Sequence, residues 1–367
     1  MGLRGALVIL GLLIIAAVAL TAYDRGRIKR RLLAALESTF KGRSRDAIDE
    51  TEEAEPSWSE RRVLRPEVAP EAAATEQGTG SGDEGGQEEP FGSIDFIVFL
   101  PGERIVERDA ALGIYKQHEY LIDKPHRLYG QREGRQSWGN LARDPDRARY
   151  GLLALALQLA DRSGPVNESQ LNAISQIALK LADALDRPTR FNMTFEQALE
   201  RACALDKFCG AFDVIATINI LAESAPVFRG PAIERAAQEV GLEFGNRDIY
   251  HRKNAQEGPC QYLYSLANLY QPGSFDPLRL DVFQTQGLTL FMSVPSVPDP
   301  PAAFKGMVEA ARLLARRLGG RLFDADRKPL TDGGLRAIQA QIQDITDRMA
   351  QQGIAPGSLN AVRLFPP

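Results

Sequence analysis

The chain has 367 residues, room for two or three domains, and its 44 Lys and Arg against 48 Asp and Glu give a formal net charge of -4. That balance argues against a nucleic-acid partner, which would call for a basic surface. Three cysteines, Cys203, Cys209 and Cys260, stand without a CxxC pair or a neighbouring pair of histidines, which argues against a metal site or a disulfide framework.

Residues 6–23 form an unbroken apolar run without a charge. As a helix it is about 27 Å long, just enough to cross a hydrocarbon core. A cleaved signal peptide is the rival reading, because Arg4 precedes the run and small residues lie near its end. The downstream flank favours an anchor: Arg25, Arg27, Lys29, Arg30 and Arg31 outweigh Arg4 and the amino terminus, and dense positive charge resists translocation. Residues 1–23 are therefore expected to be an uncleaved single-pass membrane helix, with the short N-terminus outside and all that follows cytoplasmic. Residues 24–45 read as a basic juxtamembrane helix that fixes this topology.

Residues 46–92 are acidic and rich in Pro, Gly and Ala, with fourteen Asp or Glu against three Arg up to Pro90. With so little apolar surface to bury, the segment reads as a disordered linker spanning about 35–40 Å. Ordered patterning begins near Ile94. Residues 93–210 read as strand 94–100, helix 107–115, strands 126–132, 136–141 and 150–159, a helix capped by Asn167 with Leu171, Ile174, Ala178, Leu181 and Leu185 on one stripe, and a helix over 194–207. Residues 211–353 repeat that order: strand 214–221, helix 231–240, three strand-length pieces between Phe244 and Pro295, helix 301–318, strand 321–324, and a closing helix 333–349. Residues 354–367 read as an irregular tail.

The recurrence suggests a tandem duplication, with Asp95-Phe96-Ile97 opposite Asp213-Val214-Ile215, Leu128-Tyr129 opposite Ile249-Tyr250, Asn140-Leu141 opposite Asn268-Leu269, and Tyr150-Gly151-Leu152-Leu153 opposite Gln286-Gly287-Leu288-Thr289. The fold class expected is α+β: two similar split β-α-β domains, each a mostly antiparallel sheet with helices on one face. Two unrelated α+β domains remain an alternative.

No catalytic signature accompanies this pattern. His118, His126 and His251 read as surface or half-buried polar residues, and the glycines at 78–86 have neither a preceding strand nor a Walker lysine. GxSxG and HExxH motifs are absent. The expectation is a binding protein, not an enzyme, with no cofactor, metal or small-molecule substrate.

Alternation locates a binding surface. Along 288–294, Leu288, Leu290, Met292 and Val294 face the helices, which leaves Thr289 and Phe291 on the other side. By the same parity Ile215, Thr217, Ala267 and Leu269 join them, a mixed apolar surface suited to an extended or helical peptide. In the first half, Leu153, Leu155, Leu157 and Leu159 are expected on the corresponding face and, being too apolar for water, to be covered, by the second half in preference to a partner.

Three stretches carry a resemblance. Phe244-Gly245 with Ile249-Tyr250-His251-Arg252, Ser265-Leu266-Ala267-Asn268-Leu269 with Pro272-Gly273-Ser274-Phe275-Asp276-Pro277, and Gly287-Leu288-Thr289-Leu290-Phe291-Met292 with Val294-Pro295 closely resemble the C-terminal domain of the ZipA family of membrane-anchored cell-division proteins. The resemblance covers about residues 213–349. It implies an antiparallel sheet with helices on one face, whose other face binds the C-terminal tail of the tubulin-like protein FtsZ and ties the division ring to the inner membrane. It also implies a groove of Ile215, Thr217, Ala267, Leu269, Thr289 and Phe291 with Arg327 at the rim. Two positions depart from the family: Arg247 stands where Met is common and Gln271 where Lys is common, which alters the apolar contact and the charge offered to the tail. The competing expectation is an envelope protein whose two α+β domains pack on each other without binding FtsZ.

Overall fold

The computed structural model describes residues 61–66, 91–135, 137–223 and 227–366. The expected membrane helix, the basic segment after it and most of the linker lie outside these residues. Among the described residues no helix is long and apolar enough to cross a membrane.

The first described piece belongs to the linker, yet it is ordered. Strand β1 (Arg62–Val63) pairs in parallel with the strand that starts at Val214, and Leu64 is buried beside it. The Leu64 amide donates to the Ile215 carbonyl at 3.1 Å and Gln341 Nε2 to the Arg65 carbonyl at 2.8 Å. An average over the acidic segment hid this short Val63-Leu64 island between arginines.

The first half runs β2 (Asp95–Leu100), β3 (Val106–Glu107), α1 (Arg108–Lys116), β4 (His126–Arg132), β5 (Trp138–Asn140), β6 (Arg149–Gln158), the small hairpin β7 (Ala160–Asp161) and β8 (Gly164–Pro165), α2 (Glu168–Leu185), β9 (Arg190–Phe191) and α3 (Phe195–Phe212). Its antiparallel sheet has the order β5-β4-β6-β2-β9, with β3 also on β6. Helices α2 and α3 start at reciprocal caps, in which Asn167 and Thr194 accept from the Gln170 and Gln197 amides while those glutamines bond back. Gly130 on β4 leaves room for the buried Tyr150 ring, since a Cβ there would stand 2.3 Å from a ring carbon. Tyr150 Oη then donates to Asp144 at 2.9 Å.

Leu153, Leu155, Leu157 and Leu159 are fully buried in the main core with Leu171, Ile174 and Ile177 of α2. This corrects the expectation that they line the outer face under the second half. The loose alignment with 286–289 was out of register by one residue, and a one-residue slip turns every side chain of a strand over. The residues of β6 that face away from the helices are Ala154 and Ala156, paired with Phe99 and Ile97. Burying each leucine is worth roughly 1.5–3 kcal/mol, which makes the helix side of β6 a main support of this half.

The second half runs β10 (Val214–Ala222), β11 (Phe228–Arg229), α4 (Gly230–Glu239), β12 (Glu243–Phe244), β13 (Tyr250–Lys253), β14 (Tyr262–Asn268), β15 (Gln284–Thr285), β16 (Gly287–Ser293), α5 (Pro300–Leu318), β17 (Gly320–Phe323), α6 (Asp332–Gln351) and α7 (Leu359–Leu364). Among the described residues seven strands make the sheet, in the order β1-β10-β16-β14-β13-β12, with β17 also on β10. Val214, Ala216, Ile218 and Ile220 of β10 enter the core with Phe304, Met307, Ala311 and Leu314 of α5 and Ile338, Ile342 and Ile345 of α6. Asp299 caps α5, and Gly319, at φ 71°, ends it in the left-handed conformation that glycine adopts without strain. Thr331, rather than Asp332, caps α6 by accepting from the Gly334 amide.

The outer elements of the halves correspond: β2 and β10, β6 and β16, and β9 and β17 occupy like places in their sheets. The middle strands do not. Beside β6 lies β4, the first strand of its hairpin, whereas β16 is flanked by β14, the second of its pair. Leu128-Tyr129 and Ile249-Tyr250 therefore hold different places.

The halves are joined without a linker. Helix α3 extends past residue 210 because Phe208, Cys209 and Phe212 continue its buried stripe, and only Asp213 separates it from β10. Both sheets contribute to one apolar cluster. The closing segment, expected to be irregular, forms α7, with Leu364 and Phe365 fully buried and the Phe365 ring 6.0 Å from that of Phe208. Arg363 forks onto Asp95 with contacts of 2.8 and 2.5 Å, and Ser296 Oγ donates to the Phe365 carbonyl at 2.7 Å.

Candidate functional site

The site is the face of the second sheet turned away from α5 and α6, and strand register sets its rows. Thr217 stands opposite Phe291, and Phe291 opposite Ser265, which faces His251. The next row is Asn219, Thr289 and Ala267, while Ile215 stands opposite Ser293. Leu269 follows β14, its amide donating to the Gly287 carbonyl at 3.1 Å. Ile215, Thr217, Ala267 and Thr289 are buried, forming a floor of small and branched side chains, whereas Phe291 and Leu269 are half-buried. The six positions expected from alternation thus share one face, opposite the helices.

Three further positions were expected around the groove. Arg327 is exposed, with φ 59°, and its guanidinium lies 5.9 Å from the Tyr270 ring centre, at the Leu269 end of the face. Gln271 is exposed next to Tyr270. Arg247 is exposed at the opposite edge, in the turn Asn246–Asp248 between β12 and β13, and has φ 60°.

The structure adds residues that alternation along single strands could not supply, because register was needed to find them. His251, read from sequence as a surface or half-buried polar residue, is buried in the row of Phe291. Its Nε2 lies 2.8 Å from the Asn246 carbonyl and so carries the proton, and its Nδ1, 2.8 Å from Ser265 Oγ, accepts. Tyr262 stacks on the imidazole with ring centres 4.1 Å apart. His251 thereby holds the turn that carries Arg247. Among the described residues the buried Thr217 and Thr289 hydroxyls and Asn219 Oδ1 have no hydrogen-bond partner, which makes a polar stripe across the floor.

Burial pushes the His251 pKa below the ordinary imidazole value, and Arg247 pushes it the same way, against the hydrogen bond to Asn246. The folded protein holds the ring neutral. On acidification the unfolded chain takes up this proton first, so the contribution of neutral His251 is complete above about pH 6.5 and is lost as pH falls toward the lower folded value. Urea melts are expected to show wild-type protein losing more stability than His251→Gln between about pH 7.5 and pH 5.5. Equal slopes would remove His251 as the cause.

Fold and site together define an α+β domain with one helix-covered sheet face and a second face of small, hydroxyl and aromatic side chains. Residues 214–341 match the family model described as ZipA, C-terminal FtsZ-binding domain. The chain is similar to the cell division protein ZipA of Ectopseudomonas mendocina strain ymp, 33% identical over 183 residues, which cover 49% of this chain and 67% of that protein. It is also similar to ZipA of Pseudomonas aeruginosa strain LESB58, 37% identical over 140 residues, and of Pseudomonas fluorescens strain SBW25, 35% identical over 138, in each case over 38% of this chain and 48% of the relative. The match thus spans about half the length of the latter two. The chain belongs to the ZipA family.

Proposed function

We propose that this chain is a cell-division adaptor that binds the C-terminal tail of FtsZ on the face bearing Phe291 and tethers the division ring to the inner membrane through residues 6–23. The observation that supports the reading is the gathering of Ile215, Thr217, Ala267, Leu269, Thr289 and Phe291 on the sheet face opposite α5 and α6. An extended or helical tail laid there would bury apolar side chains against Phe291 and Leu269 and bond its backbone to the Thr217 and Thr289 hydroxyls. Arg247, Gln271 and Arg327 then stand at the rim, where charge governs the approach and selection of the tail more than its affinity. In this reading the N-terminus is periplasmic and both halves are cytoplasmic, and the first half is a diverged duplicate of the second.

Titrating the chain with a synthetic FtsZ C-terminal peptide is expected to give saturable binding. Absence of binding up to about millimolar peptide, an affinity worth only about 4 kcal/mol, would overturn the proposal.

A further inference from the structure

The face of the first sheet turned away from its helices carries a second apolar cluster, separate from the main core. Ile97, Tyr129, Ala154 and Ala156 form its floor, with Phe99 and Trp138 packed against them. Seated on it is Phe91, the end of the linker, whose ring centre lies 5.8 Å from Phe99, 5.7 Å from Tyr129 and 4.9 Å from Trp138, edge to face with each. Phe91 belongs to no strand. Among the described residues its backbone is held from the downstream side, by a turn in which the Asp95 amide donates to the Gly92 carbonyl at 3.0 Å and the Gly92 amide to Asp95 Oδ2 at 2.9 Å.

Two exposed cations border this aromatic seat. Arg127 stands in register with Ala156, and the Arg190 guanidinium lies 5.3 Å from the Phe99 ring centre. Neither has a carboxylate partner among the described residues. Beside the seat, where His126, Arg127, Tyr129 and Arg363 come together, the buried imidazole nitrogen His126 Nε2 has no hydrogen-bond partner among the described residues. In the sequence Phe91 is preceded by Glu88-Glu89-Pro90, carboxylates before an aromatic ring.

We propose that this face is a second peptide-binding groove, whose ligand is an extended acidic segment of another protein bearing one aromatic anchor, and that Phe91 occupies it in the free protein. The seat selects the ring, and Arg127 and Arg190 select the carboxylates preceding it. Because Phe91 is tethered, it competes at high local concentration, so an outside peptide gains the groove only when Phe91 yields it.

The probe is a peptide of residues 83–92, Asp-Glu-Gly-Gly-Gln-Glu-Glu-Pro-Phe-Gly, added to the full chain in detergent. Phe91→Ala is expected to bind it about tenfold or more tighter than wild type does, and to bind a version with its Phe replaced by Ala about tenfold or more weaker. Binding should fall with added salt and be unchanged by Phe291→Ala, which separates this groove from the FtsZ proposal. Should Phe91→Ala fail to fold, the wild-type chain at excess peptide provides the second reading: Arg127→Glu with Arg190→Glu should weaken binding about fivefold or more. A folded Phe91→Ala protein that ignores the peptide, or binds both versions alike, overturns the proposal, as does wild-type binding that the charge reversals leave unchanged.

Discussion

Replacing Arg363 with alanine is expected to destabilise the fold by about 3–5 kcal/mol, the cost of leaving a buried carboxylate without its cation. Asp95 is fully buried and the Arg363 side chain is 12% exposed, so water cannot replace the lost partner. The two residues are 268 positions apart, and their fork pins α7 to the start of β2. Gln158 Nε2 adds a bond of 3.2 Å to the Arg363 carbonyl, which fixes the backbone behind the fork. Urea melts of Arg363→Ala, Asp95→Asn and the double variant distinguish the ion pair from simple loss of packing. The double variant should recover about 1 kcal/mol or more relative to the sum of the singles. Strict additivity would show that the two side chains do not act as a pair.

Phe291→Ala is expected to weaken binding of the FtsZ tail by about 2 kcal/mol or more, roughly thirtyfold, with the far-ultraviolet spectrum unchanged. Phe291 lies between Thr217 and Ser265 in the central row of the face, while its neighbours Leu290 and Met292 are buried on the helix side and carry the core packing of β16. The side chain is half-buried and large, with ring surface that a ligand could cover. Thr289→Val tests the floor separately. It keeps the shape and removes one hydroxyl, so a smaller loss, of about 1 kcal/mol, is expected if the tail's backbone bonds there. A Phe291→Ala protein that binds as wild type does would place the tail elsewhere.

Much of this was legible in the sequence where period and punctuation agreed. The stripe Leu335, Ile338, Ile342, Ile345 and Met349 is the buried face of α6, and the Asn167 cap opens α2 as expected. That Ile215, Thr217, Ala267, Leu269, Thr289 and Phe291 share one face followed from alternation along 288–294 and its neighbouring strands, because a sheet with helices on one side sorts side chains by parity. What failed was what parity along one strand cannot hold. The leucines of β6 were put on the wrong face by an alignment one residue out, and the places of β4 and β13 were equated by a likeness of dipeptides. His251 was passed over because its partners, Asn246 and Ser265, converge on it only through the turn 246–248 and the β13–β14 register. Leu64 and Phe91 are hidden by an average over an acidic segment, though each fills one place in a core.

The single residue between α3 and β10 has a practical meaning for anyone cutting the chain. A break at 210/211 passes through the last turn of a helix and separates Phe208 from the Phe365 ring packed near it. The stretch that matches the family model stops at residue 341, within α6, and leaves out Ile342, Ile345 and Met349, all buried. A fragment trimmed to that stretch would expose apolar side chains that the whole chain buries, so the face bearing Phe291 is best produced with all of α6 and with the half that shares its core.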